Sequence, residues 1–246
     1  MLRFCALFLL AWTLGAADRW MEFRSGPFEV ITDAGEPAGR ERLLQLEQFR
    51  YAVEQVLGTA ELRPVWPIRI RVSRSAKDAA PTLEGDAFVG SAAVEGPFSR
   101  LFLRKCALIL MQSMPGGLST GVESGLADLF STLQFQGSRV LLGAPLPAAE
   151  RNREWAKMHM LTVPDVYFGK LRVLVYNLDH GMDPGPAYRH AFGKAPAEIA
   201  KEADAYFRAG KYTTTQLRRR PIDPEKEFVS TAPAVEPSGD RARALV

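Results

Sequence analysis

The chain has 246 residues, of which 47% are hydrophobic and 24% are charged, and its formal net charge is +3. This length and composition exclude a chain that is disordered throughout and a bundle of membrane-spanning helices, and they fit one globular domain with appendages. The excess of 31 basic over 28 acidic residues is small, so we expect no nucleic-acid partner.

The N-terminus has the three parts of a secretory signal peptide. Basic Arg3 precedes an apolar run over residues 4–14, and Gly15 and Ala17 supply the small residues before a cleavage site after Ala17. The run is shorter than the roughly 20 residues that span a bilayer. We therefore expect a signal peptide over 1–17, export to the periplasm or the medium, and no stable membrane span after cleavage.

Cysteine usage limits how the exported chain can be stabilised. The sequence has two cysteines, and Cys5 lies inside the predicted signal peptide. Its removal leaves Cys106 alone, so an internal disulfide is excluded and stability must come from the core.

The first half of the chain predicts short strands around one long helix. Two short apolar segments flank Gly26 and predict a tightly turned strand pair, and the apolar positions of residues 36–57 recur every three or four residues, which predicts a helix ended by Gly58. A later segment alternates apolar and basic residues, which puts Arg69 and Arg71 on the solvated face of a half-buried strand. The expected strands are 20–24, 27–32, 67–72, 86–93 and 99–103.

The second half predicts mostly helices, and Pro115 stops the first of them. The expected helices are 104–114, 123–135, 186–192 and 196–210, with one more strand over 139–142. From Pro221 the chain is rich in Pro, Ser, Glu and Arg, so we expect a domain over 18–215 and a mobile tail over 216–246. Strands first and helices afterwards predict an α+β domain: a mostly antiparallel sheet covered on one face by helices, then a helical C-terminal part.

One motif carries a family resemblance. The segment GVESGLADLFSTL, Gly121 to Leu133, resembles the second-helix motif of secreted bacterial zinc-peptidase-like proteins of the gluzincin type, whose first helix carries HExxH. FEVITD at 28–33 and LEQFR at 46–50 are similar to the opening of that family's domain, and AFG at 191–193 to its close. The resemblance implies a zincin-like fold over most of 20–215, with a substrate cleft bordered by an edge strand, expected at Ser99 to Leu103.

In such a family each position of the site needs a particular side chain. Two histidines four residues apart reach one zinc ion, the glutamate after the first histidine activates a water, and a glutamate of the second helix completes the ligands. A carboxylate one turn later orients a histidine. Here the first helix has Arg104, Lys105 and Leu108 at the HExxH positions, and the second has Ser124 and Asp128. The resemblance thus implies a degenerate site with no metal, no cofactor and no catalytic residue.

Electrostatics gives the same expectation. Two unit positive charges about 4 Å apart repel each other by roughly 4 kcal/mol even at an effective dielectric of 20. A cation repels a dication more strongly still. Arg104 and Lys105 should therefore exclude zinc. We expect Arg104 to pair with the retained acid Asp128 instead, with an exposed, solvated Arg104 as the alternative.

The remaining polar candidates have structural interpretations. His159, His180 and His190 lack the spacing of metal ligands and are expected to be surface or hydrogen-bonded core residues. Cys106 is expected to be a buried hydrophobe, and Gly125 to permit close helix packing.

Three functions remain open from the sequence. The first is a secreted, catalytically inactive peptidase-like protein that binds a peptide or envelope protein in the former substrate cleft. The second is a hydrolase with an unrecognised metal or nucleophile, built from Glu123, Ser124, Asp128 or Cys106. The third is a decaying gene product or a purely structural envelope component, in which apolar side chains close the cleft.

Overall fold

The computed structural model describes residues 20–137 and 139–231, so the predicted signal peptide lies outside the described residues. The strands are β1 (Met21–Ser25), β2 (Phe28–Thr32), β3 (Ile68–Ser73), β4 (Ala79–Glu84), β5 (Ala87–Ala93), β6 (Gln134–Gln136), β7 (Arg139–Leu142), β8 (Thr215–Leu217) and β9 (Val229–Thr231). The helices are α1 (Glu36–Leu57), α2 (Arg100–Met111), α3 (Thr120–Phe130), α4 (Arg153–Thr162), α5 (Lys170–Asp179), α6 (Pro184–Phe192), α7 (Pro196–Ala209) and α8 (Pro224–Glu227). Across the described ranges, no helix has both the length and the apolar character to cross a membrane.

A six-stranded sheet in the order β4-β5-β3-β2-β1-β9 forms one layer, and β6-β7-β8 form a smaller sheet. The large sheet is mixed, because β3 runs parallel to both β2 and β5 while the other pairings are antiparallel. The expectation of a mostly antiparallel sheet is corrected at its centre. Strands that follow each other in parallel need a long crossover, and α1 provides it between β2 and β3.

The two faces of the large sheet differ in chemistry. The face toward the helices carries Phe28, Val30, Ile68, Ile70 and Val72, all fully buried. On the other face Arg69 donates from Nε to Glu29 at 2.8 Å, and Arg71 lies over the Trp20 ring at 4.6 Å. The two arginines are thus part of a solvated, charged face, as the alternation predicts.

Residues 99–103 form the start of a helix, so the strand predicted there is wrong. The Ser99 hydroxyl accepts a hydrogen bond from the Phe102 backbone N–H at 3.3 Å and caps α2, which therefore begins at Arg100 and not at 104. The edge strand that packs beside α2 is β4, which the sequence did not predict. It contains Pro81, a residue that sheets tolerate at their edges because it lacks an N–H.

The helix predicted over 123–135 spans Thr120–Phe130 in the structure, so both its predicted ends are wrong. The hydroxyls of Ser131 and Thr132 donate to the carbonyl oxygens of Asp128 and Leu129, at 2.6 and 2.7 Å, and α3 ends at Phe130. These hydroxyls compete with the backbone for helical acceptors. The residues that follow turn into β6, the edge of the small sheet.

The segment from 216 to 231, predicted as part of a mobile tail, is attached to the domain, so that prediction is wrong to residue 231. β9 pairs with β1 at the sheet edge, and β8 pairs with β7. Two glutamines of α1 also bind this segment through their side-chain amides. Gln48 donates to the backbone C=O of Arg220 and accepts from its N–H, and Gln55 does the same with Arg218. Residues 232–246 of the predicted tail lie outside the described residues.

Gly125 of α3 allows the close approach of α4 that its position predicts. A Cβ atom built on Gly125 would lie 2.5 Å from the backbone oxygen of Glu154 and 2.8 Å from Cγ of Met158. The neighbour is backbone, which cannot rotate away. Gly121, one turn earlier in α3, has no atom within 4 Å of the same built position.

We predict that Gly125→Ala lowers the free energy of unfolding by about 1–3 kcal/mol, because the added methyl must push α4 away from α3. Gly121→Ala is the matched control and should leave stability unchanged or raise it by up to about 1 kcal/mol, since alanine favours helix. Urea unfolding of both variants measures the difference. Equal effects of the two substitutions would contradict the packing described here.

Candidate functional site

The positions at which the family resemblance implies lost metal ligands lie on two helices that pack against each other, α2 and α3. Arg104 and Leu108 are one turn apart on α2, and Ser124 and Asp128 are one turn apart on α3. Residues four apart lie on the same face of a helix, so each pair presents two side chains on one side of its helix.

The Arg104 guanidinium joins the two helices. Its Nε donates to Oδ1 of Asp128 at 2.5 Å, and its Nη2 donates to the Ser124 hydroxyl at 3.0 Å. The side chain of Arg104 is 34% exposed and that of Asp128 only 14%. The pair predicted from the sequence is therefore confirmed, and the solvated alternative for Arg104 is wrong.

The second oxygen of Asp128 is also used. Asn152 donates from Nδ2 to Asp128 Oδ2 at 2.9 Å, while its own Oδ1 caps α4 by accepting from the Trp155 backbone N–H at 2.8 Å. Asp128 thus ties three helices together, since it is bonded from α2 on one side and from the first residue before α4 on the other. Asn152 was not predicted to be part of this site. In the sequence, Asn152 is recognisable only as an asparagine before a helical pattern. Such a pattern predicts a helix cap but does not predict a contact with Asp128.

Leu108 and Lys105, the other two positions compared with HExxH, do not join this network. Leu108 is partly buried and packs against the core, one turn beyond Arg104. Lys105 is half-buried beside Arg104 on α2, and Leu101 on the preceding turn is 71% exposed. This side of α2 therefore presents cationic and aliphatic groups.

The residues present do not fit the zinc ion that the family resemblance implies. Zinc needs three or four nitrogen, sulfur or carboxylate ligands, and here Asp128 is the single such group in the network, already paired with a guanidinium. Across residues 20–137 and 139–231, no group of three or more His, Cys, Asp or Glu side chains is placed to hold a metal.

The nucleophiles proposed for a hydrolase have unsuitable surroundings. Cys106 is fully buried, and burial raises the pKa of its thiol far above the usual range, so the thiolate does not form. The Ser124 hydroxyl accepts from Arg104, a cation that cannot act as its base. Cys106 is thus a core residue, as predicted.

The three histidines are structural or exposed, as predicted. His180 and His190 are exposed, while His159 is fully buried in α4. His159 Nε2 lies 2.9 and 3.1 Å from the carbonyl oxygens of Gly143 and Thr213, which only accept, so Nε2 carries the proton. Its Nδ1 then accepts from the Tyr206 hydroxyl at 2.9 Å.

Comparison with models of known protein families, with curated proteins and with solved structures gave no match. The gluzincin resemblance therefore stays a prediction from the residues quoted above.

Removing Arg104 should destabilise the chain. We predict that Arg104→Ala costs about 2 kcal/mol of unfolding free energy, because Asp128 loses its charged donor and keeps only Asn152. Arg153→Ala is the matched control: its pair with Asp204 spans 3.3 Å with the arginine 73% exposed, and its loss should cost no more than about 0.5 kcal/mol. Equal costs, measured by urea unfolding, would contradict a structural role for Arg104.

His159 should make stability fall as the pH is lowered. Burial lowers the pKa of His159, an effect that the two carbonyl contacts oppose. The unfolded chain therefore takes up a proton near pH 6.5 while the folded chain does not, so the stabilisation present above that pH is lost below it, by up to about 1.4 kcal/mol per pH unit.

Urea unfolding between pH 7.5 and 5 measures this slope. His159→Gln should be less stable at pH 7.5 and should show a flatter slope. The double variant His180→Gln and His190→Gln, which changes only exposed rings, should keep the slope of the unchanged chain. An unaltered slope in His159→Gln would contradict the assignment.

Proposed function

We propose that this chain is an exported, catalytically inactive peptidase-like protein whose zinc site has been replaced by an ion pair, with a non-catalytic binding role in the cell envelope. The observation that carries the proposal is the Arg104 guanidinium, hydrogen-bonded to Asp128 and Ser124 between α2 and α3. The arginine and the retained acid neutralise each other. Without its partner, each would be an unpaired, partly buried charge.

The layout of the sheet supports a peptidase-like ancestry. An antiparallel edge strand, β4, precedes β5 and then α2 along the chain, and α2 packs beside that edge strand. An edge strand beside the first helix of the site was predicted from the sequence at residues 99–103. In the structure β4 has that position. The inherited cleft would therefore lie along α2 and β4.

The binding role that we infer is capture of an extended peptide at β4. Its outer edge has no neighbouring strand in the described sheet, and most of its residues are exposed. An extended peptide adds to such an edge through backbone hydrogen bonds. Pro81 has no N–H, so β4 carries one backbone donor fewer than an uninterrupted strand.

Restoring the ligands tests the ancestry directly. The quadruple variant Arg104→His, Lys105→Glu, Leu108→His and Ser124→Glu rebuilds HExxH and the second-helix glutamate while keeping Asp128. We expect it to bind about one zinc ion per chain by mass spectrometry of the metal content, because two imidazoles one turn apart then face a carboxylate across the helix pair. The unchanged chain should bind none and should hydrolyse no peptide.

The matched control keeps Leu108 and carries the other three substitutions. With one histidine fewer it should hold zinc at least ten-fold more weakly, provided circular dichroism reports native helix content in both variants. Native-like folding of the quadruple variant without zinc binding would contradict the proposed ancestry. Stoichiometric zinc in the unchanged chain would contradict the proposed loss of function.

A further inference from the structure

A second candidate binding region lies away from the α2–α3 pair, where α1 ends, α5 begins and β8 passes between them. It is a pocket of about 540 Å³, a size within the range of small-molecule sites. Val56, Leu171 and Leu217 are buried side chains that line its apolar floor. Two aromatic residues, Tyr51 and Phe168, also line it.

The rim of this pocket carries an excess of positive charge. Arg172 and Arg218 line it, both exposed, and neither forms an ion pair within the described part of the chain. Glu54 is the one carboxylate among the lining residues, but its Oε1 already accepts from Arg50 at 2.7 Å and from the Leu62 backbone N–H at 3.0 Å. The lining therefore offers two cationic groups without an anionic partner.

Both arginines are positioned by contacts that leave the guanidinium groups available. The aliphatic stem of Arg172 lies across Gly58, where a built Cβ atom would be 2.7 Å from Arg172 Cβ. Gly58 has a φ of +72° and ends α1, so the position favours glycine for two reasons. Gln55 fixes the backbone of Arg218 by donating to its carbonyl at 2.7 Å and accepting from its N–H at 3.2 Å.

We propose that this pocket binds a small amphipathic anion, with a carboxylate, sulfonate or phosphate group between Arg172 and Arg218 and an apolar body on the floor. Arginine recognises such groups through several N–H donors in one plane, and a partly enclosed apolar floor strengthens the attraction. The site is independent of the proposed loss of zinc, since it shares no residue with the α2–α3 network.

Fluorescence titration with anilinonaphthalene sulfonate, an aromatic anion, tests the proposal against phenylnaphthylamine, its uncharged analogue. The double variant Arg172→Gln and Arg218→Gln keeps the stems and removes both charges. We expect it to bind the sulfonate roughly ten-fold more weakly and the uncharged probe within about two-fold of the unchanged chain. The double variant Arg63→Gln and Arg74→Gln removes two exposed charges that do not line the pocket, and it should bind both probes as the unchanged chain does.

A blocking variant locates the binding. Ala60 lines the pocket and is exposed, so Ala60→Trp fills its mouth without changing charge or core packing. It should weaken binding of both probes by at least ten-fold, with thermal unfolding unchanged. Sulfonate binding that is equal in the two double-arginine variants, or that survives Ala60→Trp, would overturn the proposal.

Discussion

The packing of α2, α3 and α4 depends on the half-buried carboxylate of Asp128. An acid with little solvent access is stable only with donors on its oxygens, and it receives them from Arg104 on one side and Asn152 on the other. The two donors belong to different segments, so satisfying one carboxylate fixes the relative positions of α2, α3 and the start of α4. Gly125 then allows α4 to lie against the backbone of α3.

The long helix α1 organises a second set of contacts, with the sheet and with the C-terminal segment. Its apolar face packs on the large sheet, while Gln48 and Gln55 bind the backbone of the chain as it returns from the helical part. The buried Arg50 bridges Glu47 and Glu54 within the same helix. One long helix therefore joins the sheet, the C-terminal segment and the wall of the pocket proposed above.

The elements that could be predicted from the sequence are those whose signals lie within the element itself. The predictions were wrong where contacts with distant parts of the chain determine the structure. α1 has a full apolar stripe and a terminal glycine, and its predicted bounds match the structure. Ser99 to Leu103 has strand-like composition, but the Ser99 cap and the continuing stripe of α2 decide for helix. β8 and β9 are three residues each and hold their positions only by pairing with β7 and β1, which no local pattern reveals.

For the candidate site, the pair Arg104–Asp128 was predicted because the family resemblance implies that a metal was lost and its acid retained, and such an acid would need a new cation. It did not predict Asn152, which reaches Asp128 only through the tertiary packing of α4. The ion pair is tested most directly by a crystal structure of the chain soaked in zinc, with anomalous data at the zinc edge. The account predicts Arg104 on Asp128 and no anomalous peak beside them. A peak within about 2.2 Å of the Asp128 carboxylate, with the guanidinium displaced, would contradict it.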